Sequence, residues 1–308
     1  MQLLRLRLQR MVLLVLLVPL FASTACKTST DAKAAATQLT ATAKALSDYY
    51  TALDTLLGNT DQLYALQESL GGPAYDATRR EHVRHVKEEV GKRAALAKTF
   101  TSIAASFASL SGSTAATDVP ASATKLEAQI VAVGGIGAPS QQQLGLMTTA
   151  LQVFVTAYQE HKERQAAAAI DRFSGALSQL VAGEAELYDS YGSQYLSISS
   201  SVAVGLVRAG RVDPSALLKP ALDPFGLTAL PAGAELRAQF GKQMETQIKT
   251  KTEALLKSQQ DATAALKKAL EDASHAVHLV VTDKPLEADK TPLTLDTVET
   301  WATKVAAL

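Results

Sequence analysis

Beyond residue 30, apolar side chains recur every three or four positions along the chain. In residues 31–70 this stripe consists of Leu39, Ala43, Leu46, Tyr50, Leu53, Leu57 and Tyr64. A second stripe consists of Val83, Val86, Val90, Ala97, Phe100, Ala104 and Phe107. Such spacing puts the apolar residues on one face of a helix and is typical of coiled-coil-like packing. Because Gly71-Gly72-Pro73 separates the two stripes, we expect an antiparallel helical hairpin over 31–111.

The same spacing continues after the hairpin. A short helix at about 121–133 precedes Ser140 and Gln143, which have the spacing of a capping box. From there the pattern predicts one very long helix over 140–210 or two stacked helices, with kinks or a break near Gly192.

The last third of the chain contains an irregular connection and two further helices. Asp213-Pro214 has the features of a helix start and opens a short segment that ends near Pro220. After an irregular connection over 219–233, apolar spacing predicts a long helix over 233–282 and a final amphipathic helix over 295–308.

No run of alternating apolar and polar residues is long enough to build a sheet. The sequence therefore predicts an all-α fold, an elongated antiparallel bundle of long amphipathic helices. Because the helices carry complementary stripes, we expect residues 31–308 to form a single domain. With only 5% aromatic residues, the alanine-rich core indicates helices packed closely side by side without a roomy pocket.

The first 25 residues differ in composition from the predicted bundle. Three arginines lie within the first ten residues, an apolar block follows over 11–22, and the small residues Ser23-Thr24-Ala25 come next. These are the three parts of a secretion signal. Since the block is shorter than the ~20 apolar residues that cross a bilayer, we expect residues 1–25 to be removed during export.

The only cysteine of the chain, Cys26, directly follows this small-residue site. Here residues 1–27 resemble the signals of bacterial lipoproteins, which end in a small residue and an invariant cysteine, although Ser23 stands where that family usually has Leu or Val. The resemblance implies cleavage between Ala25 and Cys26, a diacylglycerol on the Cys26 sulfur, and a further acyl chain such as palmitate on the freed amine. It also implies that Lys27, not being Asp, directs the protein to the outer membrane.

Two alternatives to lipidation remain open. The apolar block could stay in place as an uncleaved anchor, or ordinary signal cleavage could leave Cys26 as a free thiol. A single exported thiol cannot form an internal disulfide, whereas two or more acyl chains hold a protein stably on a bilayer. We therefore expect residues 26–30 to be a lipidated tether that holds the exported protein on the periplasmic face of the outer membrane.

The charge balance excludes one class of partner. Loss of residues 1–25 removes three of the 30 basic residues and none of the 30 acidic ones. A nearly neutral chain lacks the positive field that nucleic acid requires, so we expect no nucleic-acid binding. Opposite charges four residues apart, at Glu89/Arg93 and Glu245/Lys249, predict exposed ion pairs on helix surfaces.

Four of the five histidines form two pairs with helical spacing. His82, His85 and Glu89 fall within about 60° of one another on a helix, and His275 and His278 form the second group. If the two groups face each other, they could hold zinc, iron or copper between helices. The competing interpretation places the first group on the solvent flank of the second apolar stripe.

The sequence contains no Gly-x-Ser-x-Gly elbow, no His-Glu-x-x-His motif and no glycine-rich phosphate loop. We therefore expect a non-enzymatic envelope lipoprotein that carries no cofactor apart from its covalent lipid. Its bundle would act as a scaffold, bind an envelope protein or associate with itself through a helix face. One alternative is a membrane-active or lipid-handling bundle that inserts residues 130–137 and 198–207. A lesser alternative is metal binding by the two histidine pairs.

Overall fold

Long α-helices make up the computed structural model, which has no strand in the described residues. It describes residues 2–110, 119–133, 140–212, 224, 234–284, 286 and 295–307, with side chains from residue 30 onward and, in the seventh helix, from residue 239. The helices are α1 (Gln2–Gly58), α2 (Thr60–Ser69), α3 (Ala77–Leu110), α4 (Val119–Ala132), α5 (Gln141–Gln159), α6 (Glu163–Arg208), α7 (Ala234–Val281) and α8 (Asp296–Ala306). They pack against one another as a bundle, which confirms the predicted fold class.

The two predicted stripes are the faces that α1 and α3 bury against the rest of the bundle. Every member of the second stripe is buried, as are the members of the first from Leu39 to Leu57. The two helices are antiparallel, because the Lys87 Nζ donates to the Gly58 carbonyl oxygen over 3.2 Å and Asp54 lies beside Gly91.

Helices α6 and α7 form the longest antiparallel pair. Ion pairs join them near both ends, with Arg164 Nη2 2.6 Å from Asp283 Oδ2 and Arg208 Nε 2.8 Å from Glu245 Oε1. Since α6 has 46 residues and a helix rises 1.5 Å per residue, the pair is about 70 Å long.

The direction of α1 gives the bundle two distinguishable ends. Tyr50 contacts Tyr188, and farther along the chain Leu57 lines the same small cavity as Tyr195 and Ile198, so α1 and α6 are parallel. The proximal end of the bundle is the one that contains the first residues of α6 and the last residues of α7. The distal end of the bundle is the one that contains α2 and the last residues of α6.

The break in the predicted 140–210 helix lies at residues 160–162, and the expected break near Gly192 was wrong. At this break His161 adopts φ 55°. The His161 amide donates to the Tyr158 carbonyl over 3.1 Å, and the Lys162 amide donates to the Ala157 carbonyl over 2.8 Å. This is a Schellman ending with histidine at the position where glycine is usual, so no glycine or proline marks it in the sequence.

Most other predicted boundaries agree with the structure to within a few residues. The exception is α1, which begins at Gln2 and not near residue 31, so the helix includes the predicted tether over 26–30. The capping box is present, because the Gln143 amide donates to Ser140 Oγ and the Ser140 amide donates to Gln143 Oε1. The first hairpin helix is divided at Asn59 into α1 and α2, a division that the apolar spacing did not predict. The segment from Asp213 to Pro220 lies outside the described residues, as does most of the connection over 219–233.

One continuous hydrophobic core contains residues from α1 and from α3 to α8. Its side chains are mainly Ala, Leu and Val, which agrees with the close side-by-side packing expected from the composition. The single domain over 31–308 stays a prediction. Within the described ranges, no helix combines the length and the apolarity that crossing a membrane would require.

Candidate functional site

A layer of polar side chains interrupts the hydrophobic core near the middle of α6. We call it the central polar layer; it consists of Tyr49, Tyr50, Glu89, Arg93, Glu184, Tyr188, Asp189, Gln259 and Thr263. These residues come from α1, α3, α6 and α7, so the layer crosses the bundle from side to side.

Arg93 joins two glutamates at the centre of this layer. Its Nε and Nη2 donate to the two carboxylate oxygens of Glu184 over 2.8 and 2.5 Å. Its Nη1 donates to Glu89 Oε2 over 2.9 Å. Arg93 is 3% exposed, so the prediction of an exposed Glu89/Arg93 pair was wrong. The reason is Glu184, a tertiary partner that lies 91 residues away in the chain.

The environment of each carboxylate shifts its pKa in a different direction. Burial raises the pKa of Glu184, although the hydrogen bonds and charge of Arg93 oppose this shift. Burial alone would also raise the pKa of Glu89, but hydrogen bonds from Lys92 and Arg93 outweigh it and lower that pKa. Together with Lys92 and Arg93, the two glutamates form a cluster of two positive and two negative charges. Its net charge is zero, as a buried ionic cluster requires.

Tyrosine hydroxyls extend the cluster to α1. The Tyr188 hydroxyl donates to the Glu184 carboxylate, so the Tyr50 hydroxyl, 3.1 Å from that of Tyr188, is the donor in the next bond. Burial raises the pKa of the Tyr50 hydroxyl. Tyr49 makes a separate chain, in which Thr263 Oγ1 lies 2.8 Å from its hydroxyl and 2.7 Å from Asp189 Oδ1.

Gly192 lies in this layer because a neighbouring side chain occupies the space beside it. The Gln259 Nε2 donates to the Tyr188 carbonyl over 2.8 Å. A Cβ atom at position 192 would lie only 1.8 Å from Gln259 Oε1. The glycine that suggested a helix break is therefore a close-packing site inside a continuous helix.

The central polar layer is enclosed, and this limits its chemistry. Arg93, Glu184 and Gln259 are 3%, 1% and 0% exposed, so a ligand from solvent does not reach them in this arrangement. Gln259 Oε1 is buried without a hydrogen-bond partner, but the charged groups of the layer are paired with one another. A paired polar network inside an apolar core favours one alignment of the helices over others. We interpret the layer as structural.

The two histidine pairs lie far apart. His82 of α3 lines a small cavity with Gln194 of α6. His278 of α7 contacts another part of α6, where its Nδ1 lies 3.0 Å from Asp171 Oδ2. Residues 171 and 194 are separated by about 35 Å along α6.

The shared metal site considered from the sequence is therefore not formed, because its two halves do not converge. His85 lies beside His82, and the exposed His275 lies one turn before His278. Glu89, the third member of the first group, is bonded to Lys92 and Arg93. The described residues contain no group of three or more His, Cys, Asp or Glu that could hold a metal ion.

A groove with a volume of about 870 Å³ opens at the distal end of the bundle. We call it the distal groove; it is lined by Gln67, Leu70, Gly71, Gly72, Ser200, Ser201, Val204, Gly205, Arg208, Ala209, Lys242, Glu245, Thr246 and Lys249. These residues belong to the end of α2, the end of α6 and the first half of α7. The composition had not predicted a concavity of this size.

Glycines shape the wall of the distal groove. Helix α2 ends in a Schellman motif in which Gly71 has φ 83° and the Gly72 amide donates to the Gln67 carbonyl over 2.9 Å. On α6, a Cβ atom at Gly205 would lie 2.9 Å from Leu70 Cδ1. The absence of that atom lets Leu70 approach the helix closely.

The charges around the distal groove are mostly positive. Glu245 accepts two bonds from Arg208, of 2.8 and 2.9 Å, so its predicted pairing with Lys249 was wrong. The hydrogen bond to Arg208 lowers the pKa of Glu245, despite a small opposing effect of burial. Within the described residues, no carboxylate lies within ion-pair distance of Lys242 or Lys249.

The first half of α7 is covered less completely than the second half. No described side chain between residues 239 and 258 is buried, and Phe240, Ile248 and Leu255 of the predicted apolar stripe are only partly buried. By contrast, the stripe from Ala262 to Val280 is buried. Helix α7 thus leaves a partly exposed face at the distal end.

The described parts of the two segments considered for membrane insertion lie in or next to packed helices. Of residues 198–207, Ile198 and Val202 are buried and the rest belong to α6 beside the distal groove. In the other segment Ile130 and Val133 are buried and Val131 is 71% exposed. Residues 134–137 lie outside the described residues.

In comparisons with known proteins, no family model, no curated protein and no solved structure matches the chain. Its function is therefore inferred from its own residues and geometry.

Proposed function

We propose that this protein is a lipid-anchored envelope protein that acts without catalysis and binds a partner protein through the distal groove. The observation that supports the proposal is that Cys26, the residue expected to carry lipid, precedes one end of a long bundle whose other end contains the groove. The bundle would then hold a binding surface away from the membrane.

Only a few residues separate Cys26 from the buried core of the bundle. Cys26 precedes Ala32, which is 1% exposed and is the first core residue of α1, by six residues. Six helical residues span about 9 Å. Lipid on Cys26 would therefore hold the proximal end of the bundle close to the bilayer surface, and two or more acyl chains suffice for stable anchoring.

The binding end is remote from the anchor. Ala167 is a buried residue near the start of α6, and Gly205 lines the distal groove. The 38 residues between these positions span about 57 Å. A protein attached at Cys26 would present the groove at roughly this distance from the membrane.

The chemistry of the groove favours binding over catalysis. Its lining contains hydroxyl groups at Ser200, Ser201 and Thr246. A serine or threonine nucleophile needs an adjacent base, and no histidine is among the described residues that line the groove. Ser201 Oγ instead accepts a bond from the Gln67 side-chain amide, and Thr246 Oγ1 donates to the Lys242 carbonyl. The Glu245 carboxylate is engaged by Arg208 through two bonds.

Mass spectrometry of the N-terminus of the protein from its native membranes tests the anchor. We expect an N-terminal peptide that begins at Cys26 and carries the added mass of a diacylglycerol and one acyl chain. A Ser29→Ala variant, changed outside the cleavage site, should carry the same lipid. An N-terminus that retains residues 1–25, or an unmodified Cys26 in a water-soluble protein, would overturn the proposal.

Photo-crosslinking from the groove tests the partner. A photoreactive residue at Thr246 should give a discrete crosslinked product in cells, whereas the same residue at Gln260, on the exposed surface near the middle of α7, should not. Equal products from both positions, or none from Thr246, would contradict binding through the groove. Leakage of dye from vesicles treated with the purified protein would instead favour the membrane-active alternative.

A further inference from the structure

The distal groove combines apolar surface with positive charge. Leu70 is 37% exposed, and it lines the groove together with Val204 and the glycines of the α2 turn. Leu66, one turn earlier in α2, is 45% exposed. A partner that covers this surface needs apolar side chains of its own.

Two lysines on α7 add positive charge to the groove. Lys242 and Lys249 are seven residues apart, so they lie on the same face of the helix at a separation of about 10 Å. Both are exposed and act electrostatically on Glu245, whose carboxylate forms its ion pair with Arg208. Among the described residues, the lining thus holds three cations against one anion, in a chain whose total charge is zero.

Backbone amides occupy two of the terminal carbonyl groups of α2 and two of those of α6, which reduces the negative field of these helix ends at the groove. In α2, the Gln67 and Glu68 carbonyls accept bonds from Gly72 and Gly71. In α6, the Leu206 and Val207 carbonyls accept bonds from the amides of Arg211 and Gly210. Both helix ends are therefore capped by backbone donors.

Resting on the function proposed above, we infer that the distal groove binds an acidic amphipathic helix of the partner protein. Its apolar residues would cover Leu70, Val204 and the partly exposed face of α7. Carboxylates seven residues apart would lie opposite Lys242 and Lys249. This is the helix-in-groove mode of recognition, and the apolar lining favours it over binding of a uniformly polar polyanion.

A fluorescein-labelled synthetic helix provides the probe. It has 21 residues, with leucine at the a and d positions of each heptad and glutamate on both flanks. One matched peptide, the lysine peptide, carries lysine in place of glutamate. A second, the serine peptide, carries serine in place of leucine. Binding to the full-length native protein in detergent is measured by fluorescence anisotropy at 50 and 500 mM NaCl, because an electrostatic contribution weakens with salt.

We expect the acidic peptide to bind, and K242E/K249E to weaken this binding at least tenfold while strengthening binding of the lysine peptide. The control K251E/K267E changes two exposed lysines of the same helix; Lys251 is about 200° around the helix from Lys249, and this variant should bind within twofold of the unchanged protein. Circular dichroism checks that both variants stay helical.

Three results would overturn the inference. The first is that the acidic peptide does not bind at 100 μM. The second is that it binds K242E/K249E as tightly as the unchanged protein. The third is that the serine peptide binds as tightly as the leucine peptide, which would indicate a general polyanion site. The N-terminal mass of the same preparation separates the two proposals. If the protein is lipidated but does not bind the peptide, only this inference is contradicted. If the protein binds the peptide but is not lipidated, only the proposed membrane anchor is contradicted.

Discussion

At the scale of single residues, Arg93 has the largest effect on the electrostatics of the core. It neutralises Glu184 and Glu89 in a region that excludes water. A buried carboxylate that loses its partner is left uncompensated, which costs more free energy than the intact pair contributes. Removal of this one side chain should therefore affect the whole bundle.

We expect Arg93→Ala to lower the free energy of unfolding by about 3–5 kcal/mol, because it leaves the buried Glu184 without a cation and leaves Glu89 with Lys92 alone. Urea denaturation at pH 7, followed by circular dichroism, measures this change. Arg84→Ala is the matched control on the same helix, since Arg84 forms only exposed pairs with Glu81 and Glu88. Similar losses from both variants would contradict the ionic cluster.

The loss caused by Arg93→Ala should also depend on pH. Burial already raises the folded-state pKa of Glu184 above its ordinary value of 4.5, and without Arg93 it rises further. As pH falls, a carboxyl group with a raised pKa in the folded state binds its proton at a higher pH in the folded state than in the unfolded state. Protonation therefore favours folding as pH falls toward 4.5, and the free energy of unfolding decreases as pH rises. The stability difference between the variant and the unchanged protein should shrink from pH 7 to pH 5; a constant difference would contradict this explanation.

A single glycine tests the packing between α6 and α7. Gly192→Ala places a methyl group on the buried Gln259 amide and should cost about 1–3 kcal/mol of stability through overpacking. Gly183→Ala in the same helix has open space around it and should stabilise by about 0.5–1 kcal/mol through helix propensity. Thermal unfolding of both variants measures the difference, and stabilisation by both would mean that Gln259 does not pack there.

At the scale of the elements, left-handed residues end several of the helices. Gly71 and Gly210 occupy this position after α2 and α6, whereas His161 and Asp283 occupy it after α5 and α7. Glycine adopts the left-handed conformation without steric cost, but a side chain makes it less favourable by about 1–2 kcal/mol. The two non-glycine endings are therefore less favourable than they could be.

We expect His161→Gly to raise the stability of the protein by about 0.5–1 kcal/mol, because relief of the left-handed strain exceeds the added entropy of the unfolded chain. Gly210→Ala makes the opposite exchange and should lower stability by about 1 kcal/mol. Midpoints of denaturant unfolding measure both changes. A destabilising His161→Gly would show that the imidazole contact with the Gln159 carbonyl outweighs the strain.

At the scale of the whole molecule, the order and direction of the helices determine which surface is far from Cys26. Helices α1 and α6 are parallel, so the distal groove lies at the end of the bundle opposite to the first core residue of α1. A rigid bundle of this length would place the groove beyond the reach of molecules that stay at the membrane surface.

Energy transfer can measure this distance. If the protein is anchored as proposed, a fluorescent amino acid at Arg172, near the proximal end, should transfer energy efficiently to acceptor lipids in the bilayer. The same residue at Leu66, beside the distal groove, should transfer little, because it would lie about 40 Å farther along the bundle axis. Equal transfer from both positions would indicate that the bundle lies along the membrane.

The apolar spacing was sufficient to predict most of the helices. The stripes from Leu39 to Leu57 and from Val83 to Phe107 are buried as expected, and the Ser140 capping box is present. The break at His161 was missed because its Schellman ending contains no glycine. The distal groove was missed because it depends on how α2, α6 and α7 meet.

Local periodicity alone thus determined the all-α class and the buried face of α1 and α3, because side chains three and four residues apart must share a helix face. Only the tertiary structure decided the role of each polar group. Arg93 is buried because Glu184 meets it from another helix, and the two histidine pairs are apart because each contacts a different part of α6. Spacing along one helix contains no information about the partner across the core, and that partner decides whether a charge is buried, paired or free to bind.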